Sequence, residues 1–350
     1  MIQKIRNTAK TVDCCRRGFF HNVFEQRPYV LVFKTTNWCW NNCPHCCESS
    51  NASNPRVFVP EFYINNIIDE AIMDENFSRA VVFTGGEIMS AYKLAEENYV
   101  PNIINHALDA GCGVDVKTNA GWVNFAFADQ IFNDIENIVK KRADKDDTGI
   151  KHLINFQISL SLDRFHKDAL DRNFKFIKHF ARTNIPGIAF YIHVASYNKD
   201  RDMFSNLKEK LERAGIKVEP IISINPKTNV IKNMYDLNGN VVMNYSEATL
   251  FNGGRAKNIE YAYKTPNPQF VFMDDGFESL VAFDSYGNVT LGENSGNKIS
   301  TPWMMANGKT KQMETIKSDL SANIKQAEKE YLKQHKMLNW MLQSADMIKL

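Results

Sequence analysis

Three of the chain's seven cysteines, Cys39, Cys43 and Cys46, stand in the spacing C-x-x-x-C-x-x-C within the run Thr36-Asn37-Trp38-Cys39-Trp40-Asn41-Asn42-Cys43-Pro44-His45-Cys46-Cys47. Thiolates so close together in a loop converge on one small volume, and what they most naturally hold is a metal centre. A closed zinc site or a complete cysteine-ligated iron–sulfur cluster takes four ligands, one more than this motif offers. A cluster with three protein ligands keeps one iron open to bind something else. Rival chemistries use the same residues. Zinc needs His45 or Cys47 to bend in as a fourth ligand. Cys43-Pro44-His45-Cys46 is also the C-x-x-C of a thiol–disulfide oxidoreductase, a reading that leaves Cys39 unexplained and expects a helix to begin at the motif. A non-catalytic metal-binding protein is the third alternative.

The elements that must position these thiols begin with an apolar run, Tyr29–Lys34, directly before them. From there strand-like runs are expected over 29–34, 80–84, 113–117, 154–162, 188–195 and 218–224. Helices are expected between them over 61–74, 91–110, 122–141, 166–183 and 200–214. Gly111, Gly113, Pro186, Gly187 and Gly215 punctuate the junctions. Such alternation predicts an α/β fold with a parallel sheet and helices outside it. The strands are too few for a full eight-stranded barrel, so the reading is a partial (βα)6 TIM-like barrel over 29–235. Folds of this kind carry function at the C-terminal ends of their strands, where the cysteine loop starts.

Strand parity adds a second clue. In the fourth strand Phe156, Ile158, Leu160 and Leu162 point one way and Gln157, Ser159, Ser161 and Asp163 the other. The third strand sets Val114 and Val116 against Asp115, Lys117 and Asn119, and the fifth sets Phe190, Ile192 and Val194 against Tyr191 and His193. Alternate residues face opposite sides of a sheet. The apolar sides are expected to meet the helices, leaving a polar lumen. A lumen that is only packed core fills with branched aliphatics, so a polar one reads as a ligand chamber.

The cysteine motif resembles that of the radical S-adenosylmethionine (radical SAM) enzymes, whose members commonly carry an aromatic residue before the last cysteine; here that residue is His45. The resemblance implies a 4Fe–4S cluster held by Cys39, Cys43 and Cys46, with S-adenosylmethionine (SAM) on its open iron. It implies reductive cleavage of SAM to a 5′-deoxyadenosyl radical that abstracts hydrogen from a substrate. One βα unit later, Gly85-Gly86-Glu87 resembles the family's Gly-Gly-Glu segment, which implies that Glu87 pairs with the SAM ammonium while Gly85 and Gly86 supply backbone contacts. Ser161-Leu162-Asp163 is similar to a Ser-x-Asp segment whose serine contacts SAM, with Ser159 the competitor for that role. Arg172 resembles an arginine aimed at the SAM carboxylate, Asn119 lines the site, and the His45 ring lies near the adenine. An electron donor such as flavodoxin or ferredoxin is implied as a partner.

Outside the barrel, 1–28 is a basic and aromatic lead-in, expected to pack across the barrel's end. Residues 236–300 are rich in Asn and Gly, with hairpin signals at Leu237-Asn238-Gly239-Asn240-Val241 and Ser285-Tyr286-Gly287-Asn288-Val289. This stretch is expected as a small β-rich extension. Together with Gly253-Gly254-Arg255-Ala256 it resembles the start of the SPASM or twitch extension of radical SAM peptide maturases. It is degenerate, because no cysteine follows Cys112 to bind an auxiliary cluster. That resemblance tilts the substrate toward a peptide or protein, with a small metabolite as the alternative. Residues 301–350 are expected as a C-terminal helical segment.

The 350 residues carry a net charge of +2, which gives no support for a nucleic-acid partner. No signal peptide and no run approaching a membrane span are visible. Clustered cysteines suit a reducing cytoplasm better than a disulfide framework, and the cytoplasm is the expected location.

Overall fold

The computed structural model describes residues 29–46, 48–143, 155–183, 190–197, 200–224, 231–239, 241–248, 255, 270–273, 276–291, 300–302, 315 and 318–319. The lead-in, Cys14, Cys15, Cys47, Gly253, Gly254, Ala256 and nearly all of the expected C-terminal helix lie outside the described residues.

Strand β1 (Tyr29–Thr36) is buried along its whole length, as its near-continuous apolar run requires of a parallel strand covered on both faces. On one side of it follow β2 (Phe77–Gly85), β3 (Gly113–Thr118), β4 (Phe156–Ser161) and β5 (Phe190–Tyr197), each parallel to the last. Helix α1 (Glu61–Ala71) connects β1 to β2, and α2 (Ala91–Leu94) with α3 (Tyr99–Asp109) connects β2 to β3. Then α4 (Ala128–Ala143), α5 (Ala169–Arg182) and α6 (Arg201–Arg213) follow β3, β4 and β5. The helix expected over 91–110 is broken because Asn98 takes the left-handed conformation, with φ 62°. Pro101 then falls in the first turn of α3, where its missing N–H costs nothing.

After β5 the strand order departs from the expected one. Strand β6 (Val218–Ile224) does not lie beside β5; β8 (Val241–Ala248) takes that place, parallel to β5 from Phe190 opposite Val241 to Tyr197 opposite Ala248. Strand β6 sits at the sheet's edge, antiparallel to β7 (Ile231–Leu237). Pro220 within β6 explains the displacement, because a residue without an N–H cannot serve two ladders and belongs on an edge strand. Asn238 and Gly239, with φ 57° and 74°, turn β7 into β8. On the far side of β1, β10 (Gly276–Asp284) pairs in parallel, followed by β11 (Asn288–Leu291) and β12 (Ser300–Pro302). Strand β9 (Phe270–Met273) also pairs with β10. The strands described within 236–300 therefore flank the parallel strands on both sides.

The helices cover one face of the sheet. There Phe33 stacks between Phe83 and Phe283, with ring centroids 5.8 and 5.3 Å away, above a core that includes Ile64, Ile103, Phe176 and Phe180. Each such fully buried side chain contributes roughly 1.5–3 kcal/mol. The opposite face is polar on β3, β4 and β5, as the parity predicts. On β1, β2 and β10 it carries an apolar patch, with Val30, Val32 and Ala282 packed against Ala80 and Val82, and beyond it on β1 the buried Lys34 pairs with Glu48 at 2.9 Å.

Candidate metal centre

The cysteine loop leaves β1 at its C-terminal end and is fastened there by the end of β2. The Gly86 N–H donates to Thr36 O at 2.7 Å and the Glu87 N–H to Trp38 O at 3.0 Å. A Cβ at Gly86 would come within 2.1 Å of Trp38 O, and one at Gly85 within 2.4 Å of Thr36 O. Gly85 also has φ +124°, which favours glycine. The two glycines are thus placed against the loop's own backbone.

Glu87 is 1% exposed. Its Oε1 accepts from Thr118 Oγ1 at 2.8 Å and from the Met89 N–H at 3.1 Å, and its Oε2 accepts from the Asn119 N–H at 3.0 Å. Burial pushes its pKa up, and the three donors oppose that shift. Asn119 in turn reaches toward the cysteine loop, with its Nδ2 3.7 Å from Cys39 Sγ.

Cys39 and Cys43 are buried, Cys46 is half-buried, and all three are free thiols. The Asn41 N–H lies 3.3 Å from Cys39 Sγ, and the Ser50 N–H lies 3.3 Å from Cys46 Sγ. Burial, with Glu87 and the other two thiols nearby, holds the Cys39 thiol far above its ordinary pKa. A bare thiolate is disfavoured there, and a metal centre supplies the positive charge that would bring it down. Cys112, the other thiol among the described residues, precedes β3 at its N-terminal end, away from the loop.

Among the described residues no helix starts at the cysteines, where a thiol–disulfide exchanger would have one. Cys46 N–H donates to Cys43 O at 3.2 Å in a turn, and the next helix begins only at Glu61.

After β4, Asp163 brings His45 and His166 together. Its Oδ2 is 2.8 Å from His166 Nδ1 and 3.8 Å from His45 Nε2. His45 stacks on Phe165, with centroids 4.6 Å apart. Burial lowers the His45 pKa to about 4, with Asp163 opposing. Burial also disfavours the His166 cation, but hydrogen bonds to Asp163 and Cys43 outweigh it and raise its pKa to about 10.

The other expected site residues are more dispersed. Ser161 lies near the end of β4, where its carbonyl accepts from Asn173 Nδ2 at 3.0 Å. Ser159 lies deeper in the same strand and is bonded to Asp115 and His193. Arg172 Nε and Nη1 are buried with no acceptor among the described residues, and so is Trp40 Nε1. The two side chains meet at Gly121, where a Cβ would lie 2.4 Å from Trp40 Nε1 and 3.3 Å from Arg172 Nη1. Beside them Trp38, Trp40, Tyr92, Phe125 and Phe127 help line a groove of about 660 Å³.

Three contributors to the site were not singled out from the sequence. Arg255 donates from its backbone N–H to Cys46 O at 3.0 Å, from Nε to Cys43 O at 2.9 Å and from Nη2 to Ser50 O at 2.8 Å. Tyr286 OH accepts from Asn37 Nδ2 at 2.7 Å. His166 is the third, and its signal was local, a histidine three residues after a carboxylate at a strand's end.

No protein-family model matches the sequence, and no curated protein matches it. Among solved structures the chain is similar to Streptococcus suis SuiB bound to S-adenosylmethionine, at 14% identity and a TM-score of 0.48, over 91% of this chain and 72% of that one. It is similar to SuiB bound to precursor peptide SuiA at 13% identity and a TM-score of 0.43, over 91% and 71%. A third likeness is to anSMEcpe with bound AdoMet and Cp18Cys peptide, at 12% identity and a TM-score of 0.42, over 86% and 82%.

Proposed function

We propose that the protein is a radical SAM enzyme whose Cys39, Cys43 and Cys46 hold one 4Fe–4S cluster. The observation that supports this most directly is the loop itself: three free thiols at the C-terminal end of β1, with N–H donors at two of the sulfurs. When bound and reduced by one electron, cluster and SAM together would supply the radical chemistry that abstracts hydrogen from an unactivated carbon.

The chain's residues bind and orient. A carboxylate has about four acceptor positions, and Glu87 uses two on Oε1 and one on Oε2. The open position on Oε2 is the one for the SAM ammonium. Arg172, with two N–H groups lacking an acceptor among the described residues, suits the SAM carboxylate, since guanidinium and carboxylate pair in a bidentate fork. The buried, neutral His45 ring offers a flat face for the adenine, and Ser161 and Asn119 lie at the same strand ends. A flavodoxin- or ferredoxin-type donor delivers the electron. The substrate is a peptide or protein, a reading supported by the degenerate SPASM-like stretch. No thiol follows Cys112, so no auxiliary cluster is included.

Anaerobic reconstitution is the test. It should give a brown protein with about four irons per chain that forms 5′-deoxyadenosine from SAM under dithionite. Replacing any of Cys39, Cys43 or Cys46 by Ala should abolish both. A colourless protein with a redox-active Cys43–Cys46 disulfide would favour the oxidoreductase instead.

A further inference from the structure

A row of polar side chains crosses the helix-free face of the sheet over four adjacent strands. Ser159 Oγ on β4 is 2.6 Å from Asp115 Oδ1 on β3 and 3.2 Å from His193 Nδ1 on β5. His193 Nε2 is 2.7 Å from Ser246 Oγ on β8. The row exists because β8, not β6, lies beside β5, so that Ser246 sits opposite Ala195, next along the same face from His193.

The directions of these bonds follow from what each group can do. A carboxylate only accepts, so the single Ser159 hydroxyl proton goes to Asp115. Ser159 Oγ is then an acceptor toward β5, and His193 Nδ1 must be the donor. In the neutral ring the other nitrogen, Nε2, carries the lone pair, and Ser246 Oγ–H donates to it. Burial and the Lys117 charge favour that neutral ring, with Asp115 opposing. Asp115 and Lys117 from β3 and Tyr191 from β5 are its titratable neighbours on this face, and by register Lys34 on β1, Glu219 on β6, Asp236 on β7 and Asp284 on β10 share the face further away.

Asp115 and Ser159 thus set the tautomer of His193 from behind and aim a basic nitrogen outward. What stands in front of it is the hydroxyl of an exposed residue, Ser246, which can rotate away at little cost. A sheet face serving only as core has no use for this arrangement, and elsewhere on the same face Val30, Val32, Ala80, Val82 and Ala282 do form such a core.

We propose that His193 Nε2 is a substrate subsite that receives a hydrogen-bond-donating group, a hydroxyl or an ammonium, in the position now filled by the Ser246 hydroxyl. Ser246 is the placeholder and Asp115–Ser159 the positioning pair. The subsite rests on the proposed function only in taking this face as the substrate's side.

The test uses the full-length, cluster-loaded protein labelled with 15N-histidine. Two-bond 1H–15N spectra should show His193 protonated at Nδ1, and Asp115→Asn should shift it toward the Nε2-protonated form, since an amide at 115 can donate to Ser159. Methanol and methylammonium serve as probes for the two donor classes, with acetonitrile and tetramethylammonium as matched non-donors. A shift at His193 Nε2 with methanol assigns the hydroxyl class, and one with methylammonium the ammonium class. Response to neither probe, equal response to the non-donors, or an Nε2-protonated wild-type ring would overturn the subsite. Iron content and SAM cleavage are measured on the same samples, so failure of the cluster reading registers separately from failure at His193.

Discussion

Arg255 offers a direct test of whether the cysteine loop is held closed by residues far along the chain. Its guanidinium donates to the carbonyls of Cys43 and Ser50 at 2.9 and 2.8 Å. Hydrogen bonds from charged groups are worth about 1.5–3 kcal/mol each. Arg255 is half-buried, so the lower end applies, and losing both should weaken the closed loop by about 3 kcal/mol. At 1.4 kcal/mol per factor of ten, the open loop becomes roughly a hundred times more populated. Arg255→Ala should therefore release iron to a strong chelator on the order of a hundredfold faster than wild type, in proportion to that open population. Arg255→Lys, which keeps the charge but loses the planar fork, should fall between. The assay is anaerobic loss of the cluster's visible absorbance under excess chelator, with global stability followed by denaturant unfolding of the cluster-free forms. The reasoning fails if release from Arg255→Ala stays within a few-fold of wild type. It fails equally if the variant loses the same free energy globally, because Arg255 would then support the fold and not the loop.

At Glu87, Gln substitution keeps the shape but puts an amide NH2 where one acceptor oxygen was. Either the Asn119 N–H or the Thr118–Met89 pair then faces a donor, and leaving a buried donor unmatched costs about 1–3 kcal/mol. Denaturant unfolding of cluster-free Glu87→Gln should show that loss, and unchanged stability would mean the carboxylate is not the latch it forms here. Glu136 on α4 accepts from His179 Nε2 at 2.8 Å and from Lys140 Nζ at 3.0 Å. Burial raises its pKa, but the bonds from Lys140 and His179 outweigh that and lower it overall. Its contribution is thus present above the unfolded carboxylate pKa, about 4.3, and is lost as pH falls through the depressed folded value. Glu136→Gln should cost at most about 1 kcal/mol at pH 7, and its unfolding curve should converge on that of wild type in strong acid; a gap that persists there refutes the ion-pair account.

Local features were the legible ones. The spacing Cys39-x-x-x-Cys43-x-x-Cys46 behind an apolar run is enough to place three thiols at the end of a strand, because both signals lie within a few residues. Parity on β3, β4 and β5 was equally local, and it put Asp115, Ser159 and His193 on one face before any pairing was known. What escaped was set by distance along the chain. That β8 displaces β6 depends on competition between segments, and its one trace was Pro220, unremarked inside an otherwise strand-like run. The clasp of Arg255 on Cys43 spans 212 positions, and nothing near Arg255 announces its partner. Gly85 and Gly86 are an intermediate case. The sequence indicated a backbone that something approaches closely; the resemblance supplied a ligand, whereas the structure places the carbonyls of Thr36 and Trp38 there.

These long-range contacts bear on what an extension without cysteines can contribute. Strands β10 and β8 occupy the two positions flanking β1–β5. Without them the edges of β1 and β5 would present unpaired backbone groups, which proteins otherwise cover or charge. Arg255 and Tyr286, from the same part of the chain, bind the backbone of the cysteine loop and Asn37, while Ser246 on β8 completes the polar row on the helix-free face. One stretch therefore supplies the strands beside β1 and β5, clasps the proposed cluster loop and supplies a side chain to the proposed subsite. None of these tasks needs a thiol. On the proposed reading, an extension without cysteines would then be a working part of the site, coupling the geometry of the cysteine loop to that of the face proposed for substrate.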